Sequence, residues 1–369
     1  MTTQDTEQAD PRARARARRA RPTPSYAAAY ALALLVHGLS FALLGAGGWL
    51  LVRGWGNPFV MFFGVLMVLL FLLLRPRFPR LDEAAPRLTR ADAPRLFGLV
   101  DAVAREVGTR GVDVITLDPR VNASVTACGP RRRALCLGLG LWAVLTPQQK
   151  VALLGHELGH FAGGDTRHGT VVGSALHTLR LWVVVLTPER WDGRLVHLLV
   201  VGLLRIPYHA ARGALTVLDK VSLRGQPERE YLADDLAADV ASAEAARDLM
   251  ETLLHAGRIE GELRRLSNEA TAFAGRDGAP RADETLWPRL ADHLAAVPAD
   301  ERARLLRTGE SERHRQDATH PPTRLRLERL DRRGPSVAKV VLDGRTATAV
   351  EGELRPAARR VARSVARDL

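Results

Sequence analysis

Cysteine is nearly absent from this 369-residue chain, which holds only Cys128 and Cys136. Two cysteines cannot build a disulfide framework, and they lack the paired spacing of a zinc knuckle. They read as small, half-buried residues facing each other across a hairpin. Lysine is scarce as well: Lys150, Lys220 and Lys339 are the full set, so 50 of the 53 basic residues are arginine, within a formal net charge of +12. With so much alanine, glycine and leucine alongside, the skew reads as a coding bias rather than a choice of each cation for phosphate. Aromatic residues make up 5%, and no basic stripe is interleaved with them, so nucleic acid is not an expected partner. The G-x-S-x-G elbow of serine hydrolases is missing too.

What the chain has in quantity is apolar sequence, 46% overall, concentrated in two N-terminal runs. Tyr26 to Val52 holds 27 residues with His37 as its one ionisable side chain. At about 1.5 Å rise per residue, a helix of that length crosses a ~30 Å hydrocarbon layer. Phe59 to Leu74 adds 16 residues after a short break, slightly short for a span unless the bilayer thins around it. A transmembrane helical hairpin over 26–74 is therefore expected. Arg12, Arg14, Arg16, Arg18, Arg19 and Arg21 precede it and Arg75, Arg77 and Arg80 follow, whereas the turn offers only Arg53. The positive-inside rule then puts both flanks, and the rest of the chain, on the cytoplasmic side. Residues 1–25, low in complexity and rich in arginine, read as a disordered tail near anionic headgroups.

Two weaker apolar stretches, Val171 to Leu186 and Leu195 to Ala211, flank a polar turn. Each carries charge or histidine, His177 and Arg180 in one, His197 and Arg205 in the other. Such residues are costly on a lone helix in lipid, so the expectation is a second membrane hairpin over 171–211, packed on the first or dipping into the bilayer.

The chemistry begins at Thr146, in the text LTPQQKVALLGHELGHFAGGD. Thr146 fits an N-cap, Pro147 the first helical position and Gln149 a capping box, while Gly163 and Gly164 end the helix. On it His156 and His160 lie four apart, on one face, where two imidazoles reach a single ion, and Glu157 sits beside them. Downstream, REYLADDLAAD sets Glu230 and Asp234 four apart on another helical face. A catalytic zinc takes three protein ligands and leaves a position for water, and two histidines with a glutamate are a known set. Glu230 is the expected third ligand, and Asp234 the hydrogen-bond partner of the far ring nitrogen of a ligating histidine, His156 first. Taken alone, the second segment reads rather as an acidic helix with a solvated face, and only the histidine pair turns the reading toward a ligand. Glu157 is the expected general base, taking a proton from water and returning it to the leaving amine.

With these residues in view, the chain resembles the M48 family of membrane zinc metallopeptidases, and within it the bacterial HtpX-like heat-shock proteases more than the CAAX prenyl proteases. The histidine helix with its HFAGGD ending, the E-x-x-A-D pattern at Glu230 to Asp234, and THPPTRLRLERL near the C-terminus carry the resemblance, which spans roughly residues 26–330. It implies that Asn122 and Ala123, in VNASVTAC, lie on an edge strand that pairs with extended substrate. It also implies a place for His320 at the cleft, donating to the oxyanion or reaching the metal, with a helix-capping histidine as the plain alternative. Arg326 either braces the Glu230 region or is a surface arginine. The substrates the resemblance implies are damaged or misassembled membrane proteins.

The expected architecture is α+β, mainly α: a zincin-like metallopeptidase domain with a small β-sheet over 75–330, interrupted by the 171–211 hairpin, behind the N-terminal hairpin. The strand order begins with a helix from Ala93 to Gly108 and a strand from Val112 to Leu117. The charged insert from Glu251 to Asp317, which departs from the family, is expected to be helical and to shape the cleft or dock a partner. Residues 331–369 form a basic C-terminal tail, whose amphipathic part either lies on the membrane or packs as a terminal helix. The functional expectation is a multi-pass cell-membrane endopeptidase with one Zn2+ per chain, a cytoplasmic catalytic domain, the lipid bilayer and polypeptide substrates as partners, and no reading of oligomeric state. A rival keeps the fold without catalysis, as a membrane sensor or scaffold, but such a site has no use for the carboxylate of Glu157.

Overall fold

A computed structural model of the chain describes residues 24–77, 81–128, 132–163, 165–187, 195–224, 226–272, 282–298, 300–301, 304–305 and 321–367. The chain is mostly helical with a small mixed sheet. In order, its elements are α1 (Pro24–Arg53), α2 (Pro58–Leu74), β1 (Arg87–Leu88), α3 (Pro94–Val107), β2 (Val114–Asp118), β3 (Ala123–Ala127), β4 (Arg133–Gly138) and α4 (Leu139–Trp142). There follow α5 (Pro147–Ala162), α6 (Asp165–Leu186), α7 (Leu195–Arg224), α8 (Gln226–Ala241), α9 (Ala243–Leu253), α10 (Ala256–Ala272), α11 (Ala282–Ala295), α12 (Thr323–Arg333) and α13 (Gly344–Val365). They divide into two compact units, the chain passing between them at Pro79/Arg80, Thr166/Arg167 and Gln226/Pro227.

The apolar unit holds α1, α2, α7 and nearly all of α6. A turn containing Gly56, whose φ of +87° suits a residue without a Cβ, reverses the chain after α1. The Asn57 side chain then accepts from the amides of Phe59 and Val60 and starts α2, with Pro58 in the first turn. The two helices run antiparallel and close: a Cβ on Gly47 would stand 2.9 Å from the Gly64 carbonyl oxygen. Small residues at such a crossing let backbones approach as they do in membrane bundles. Elsewhere both helices present large apolar side chains outward, among them Leu35, Phe41, Trp49, Phe62 and Leu69. Ala29, Ala33 and Val36 of α1 pack on Val172, Ala175 and Leu179 of α6 and Leu218 of α7. His37 is absorbed there, its Nε2 lying 3.1 Å from the Val171 carbonyl and 3.1 Å from Ser174 Oγ. Among the described residues, α1 and the 169–186 part of α6 are long and apolar enough to cross a membrane, and α2 is apolar but shorter.

The second unit is built on a sheet of order β1-β2-β4-β3, with β2 and β4 parallel and the outer pairs antiparallel. Its frame is α3, whose apolar period buries Leu96, Phe97, Val100, Val103 and Val107, and which Gly108 ends in the left-handed region. The cysteines do not face each other as the sequence suggested. The β3/β4 register sets Cys136 opposite Ser124 and leaves Cys128 just beyond the strand end, and both thiols are free. The Cys128 amide donates instead to the Arg132 carbonyl at 3.0 Å, four pairings along the ladder from Cys136.

The end of the chain packs into this unit. Asp343 caps α13, and Val350, Leu354, Ala357, Val361 and Val365 fall on one buried stripe while its arginines stay outside. Glu351 accepts from Lys150 Nζ at 2.6 Å and from the Trp142 indole at 3.0 Å. Glu353 accepts from the backbone amides of Arg95 and Leu96, filling orphan donors at the start of α3. The insert is helical over α10 and α11, and the Trp287 indole of α11 donates to the Ala358 carbonyl of α13 at 3.0 Å.

Candidate metal centre

The α5 helix starts on a complete capping box: the Thr146 side chain accepts from the Gln149 amide, and Gln149 Oε1 accepts from the Thr146 amide at 2.8 Å. Held in this way, His156 and His160 stand one turn apart with ring centroids 4.9 Å apart and ring planes at 89°. What meets them is α8. Gly155 and Gly159 alternate with the histidines, and a Cβ on either would stand 3.0 Å from the Ala237 Cα or 3.1 Å from the Ala233 Cα. Two helices whose contact stripes are Gly-x-x-x-Gly and Ala-x-x-x-Ala can approach almost backbone to backbone. That approach carries Glu230 to the imidazoles.

The Glu230 carboxylate lies 3.5 Å from His156 Nε2 and 3.7 Å from His160 Nε2. The ligand-capable atoms of the three residues cluster together, and separations of 3.5 and 3.7 Å between carboxylate and ring nitrogens fit a single ion with ligand bonds of about 2.0 to 2.2 Å.

Asp234 and Arg326 fix the state of this donor set. Asp234 Oδ1 lies 3.0 Å from His156 Nδ1, and Arg326 donates to both carboxylate oxygens, Nε to Oδ2 at 2.7 Å and Nη2 to Oδ1 at 2.6 Å. Arg326 Nη2 is also 3.8 Å from Glu230 Oε2. Burial alone would push the Asp234 carboxyl up, but the bonds and charge of Arg326, and then the bond to His156, hold it well below the usual carboxylate range. The surface alternative for Arg326 is thus excluded: it is 5% exposed. An ionised Asp234 can only accept, so its contact with Nδ1 favours the His156 tautomer that leaves Nε2, on the Glu230 side, as the ligating atom. A neutral imidazole lone pair beside a carboxylate and a second imidazole is the chemistry a zinc ion requires, and the residues present fit it.

Glu157 is buried and lines, with His156 and Arg326, a cavity of about 790 Å³. Asn122 and Ala123 line the same cavity, where β3 is an edge strand of the sheet. His320 lies outside the described residues. The glycine and alanine stripes were open to view in the sequence as GHELG and ADDLA, but their meaning depends on which helix they face.

Comparison with known proteins agrees in part of this picture. The family model for peptidase family M48 matches residues 91–334. A protease HtpX homolog of Tropheryma whipplei strain Twist is 27% identical over 201 residues, covering 54% of this chain and 67% of that protein. One from Streptococcus equi subsp. zooepidemicus strain MGCS10565 is 24% identical over 302 residues, 77% of this chain and 89% of its own length. Another, from the archaeon Methanothermobacter thermautotrophicus, is 30% identical over 146 residues, 38% and 55% of the two chains. No solved structure matches. Since the matched family segment runs from just before α3 to the end of α12 and takes in both histidines, Glu230, Asp234 and Arg326, the chain belongs to peptidase family M48.

Proposed function

We propose that this peptidase is a membrane-anchored, zinc-dependent endopeptidase, with His156, His160 and Glu230 as metal ligands and Glu157 as general base. The observation that carries the reading is the convergence of two Nε2 atoms and one carboxylate in a buried cluster, with Glu157 on the adjoining cavity. A zinc ion held by these residues would supply Lewis acidity, lowering the pKa of a bound water toward neutrality and polarising a carbonyl. Asp234 holds the His156 ring in its tautomer and orientation, and Arg326 keeps Asp234 charged and in place. Glu157, next to His156 on α5, accepts the proton of the attacking water and delivers it to the departing amine. The outer edge of β3, an edge strand whose start lies on the cavity, is where an extended peptide would pair through its main chain, independent of its sequence, with the Asn122 side chain giving up the Ala123 amide that it now holds at 2.9 Å.

We also read α1 with α2, and α6 with α7, as two membrane hairpins, with the peptidase unit on the cytoplasmic side and damaged membrane proteins as substrates. The outward apolar surface of α1 and α2 supports this, since a soluble protein rarely exposes so much. Detergent-solubilised full-length protein tests the chemistry. It should hold one zinc per chain and degrade casein; 1,10-phenanthroline should abolish cleavage and added zinc restore it. Glu157→Gln should keep the zinc and lose about a thousandfold in rate. Proteolysis that survives the chelator would sink the proposal.

A further inference from the structure

We infer that the cleft beside Glu157 carries an apolar side pocket, walled by α10 and the C-terminal end of α13, that selects a bulky aliphatic or aromatic side chain of the peptide being cleaved. The inference rests on the peptidase reading and names its substrate class.

Besides the residues already described, the cavity is lined by Leu141, Leu249, Met250, Leu253, Leu263 and Val365. These come from α4, the consecutive α9 and α10, and α13, and Leu141, Leu249, Met250 and Val365 are buried in the core. The remaining charged groups on the cavity, Arg120, Glu260 and Arg264, are exposed. Arg326 is engaged with Asp234. A charged substrate side chain placed among the leucines would lose its water without gaining a partner, which is costly. A leucine, methionine or phenylalanine side chain would instead bury apolar surface against apolar surface. The volume of about 790 Å³ falls within the range of sites that enclose a whole ligand, so a large side chain fits beside the main chain.

The wall is fixed rather than soft. Ser267 Oγ of α10 donates to the Val365 carbonyl at 2.7 Å, and Thr271 Oγ1 donates to the Ala366 carbonyl at 2.8 Å. Those hydroxyls fill acceptors that the end of α13 would otherwise leave open. Arg363 pairs with Asp283 at 2.7 Å, tying the same turn to α11. A wall pinned in this way limits side-chain size instead of collapsing onto small residues. Ser364 and Val365 lie beyond residue 334, where the family match ends.

The test uses zinc-loaded, full-length protein in detergent and a set of peptides differing at one position, carrying Ala, Leu, Phe, Trp, Asp or Lys there. Leu and Phe should be preferred over Ala by about tenfold in kcat/KM at one position near the cut, with Asp and Lys disfavoured. Leu263→Trp fills the pocket and should reduce the Phe-to-Ala ratio. Leu263→Ala enlarges it and should raise the Trp-to-Leu ratio. A parallel arm measures binding of the Phe and Ala peptides to zinc-loaded Glu157→Gln by fluorescence anisotropy. Equal cleavage of Ala and Phe peptides by wild type, or ratios unmoved in both folded variants, overturns the pocket. Wild type that cleaves no peptide at all overturns the peptidase reading instead; the anisotropy arm then still decides, since a Phe peptide bound no tighter than the Ala peptide removes the pocket.

Discussion

Asp234 is 1% exposed and Arg326 5%, and each is the other's main partner. A buried pair of this kind adds little stability over a well-packed apolar pair, but removing one member leaves an uncompensated charge and costs about 3–5 kcal/mol. Asp234→Ala should therefore lower the thermal midpoint markedly even in metal-free protein. Asp234→Asn is the more informative change, because it keeps the shape and removes the charge that holds the His156 tautomer. Its zinc affinity should fall about 10- to 100-fold, read by competition with a chromophoric chelator. An unchanged affinity would mean that Asp234 has no part in orienting His156. The motif H-E-x-x-H and the pair Glu230 and Asp234 were legible as residues. Arg326 stood out only through the family resemblance, with a surface arginine as the alternative, and its burial against Asp234 is what decides between the two.

The central element pair is α5 against α8. The sequence of α5 specifies its own start, through Thr146, Pro147 and Gln149, and the structure has that start where the pattern put it. What sets the position of Glu230 is the closeness of the two backbones at Gly155 and Gly159. Gly159→Ala improves helix propensity by up to about 1 kcal/mol. It also drives a methyl group to 3.1 Å from the Ala233 Cα, and a backbone atom in a packed helix cannot yield as a flexible side-chain tip can. The expected outcome is a loss of zinc affinity of at least about tenfold, of the order seen when ligand orientation is disturbed. Retained affinity, measured as for Asp234→Asn, would show that α8 tolerates the shift.

At the scale of the molecule, the chain couples a unit of long apolar helices to a peptidase unit through crossings near residues 79, 166 and 226. If α1 and α2 span a bilayer as a hairpin with the peptidase unit inside, the turn at 54–57 must lie on the opposite face from α13. A Cys128→Ser, Cys136→Ser background leaves no native thiol, so single cysteines can be introduced at Trp55 and at Arg355. An impermeant maleimide added to intact cells should label Trp55→Cys and not Arg355→Cys until the cells are opened. Labelling of both from outside, or of neither, would reject the proposed topology. The arginine distribution that suggested it, six before α1 against one in the turn, was plain in the sequence, because charge at membrane edges is a local property.

The sequence by itself determined the elements whose signals are local: the apolar runs, the capped helix with its two histidines, the α3 period, and the acidic pair four residues apart. Caps, periods and apolar length act through neighbours in the chain, so they can be read without the fold. Tertiary structure alone decided the rest. It brought Glu230 within reach of residues about seventy positions earlier, committed Arg326 to Asp234, moved Cys136 opposite Ser124, and buried the last amphipathic stretch as α13 in the core. Each of these depends on which faces meet, a matter of long-range packing in which glycine and alanine stripes and a pinned C-terminal helix count for as much as the ligands themselves.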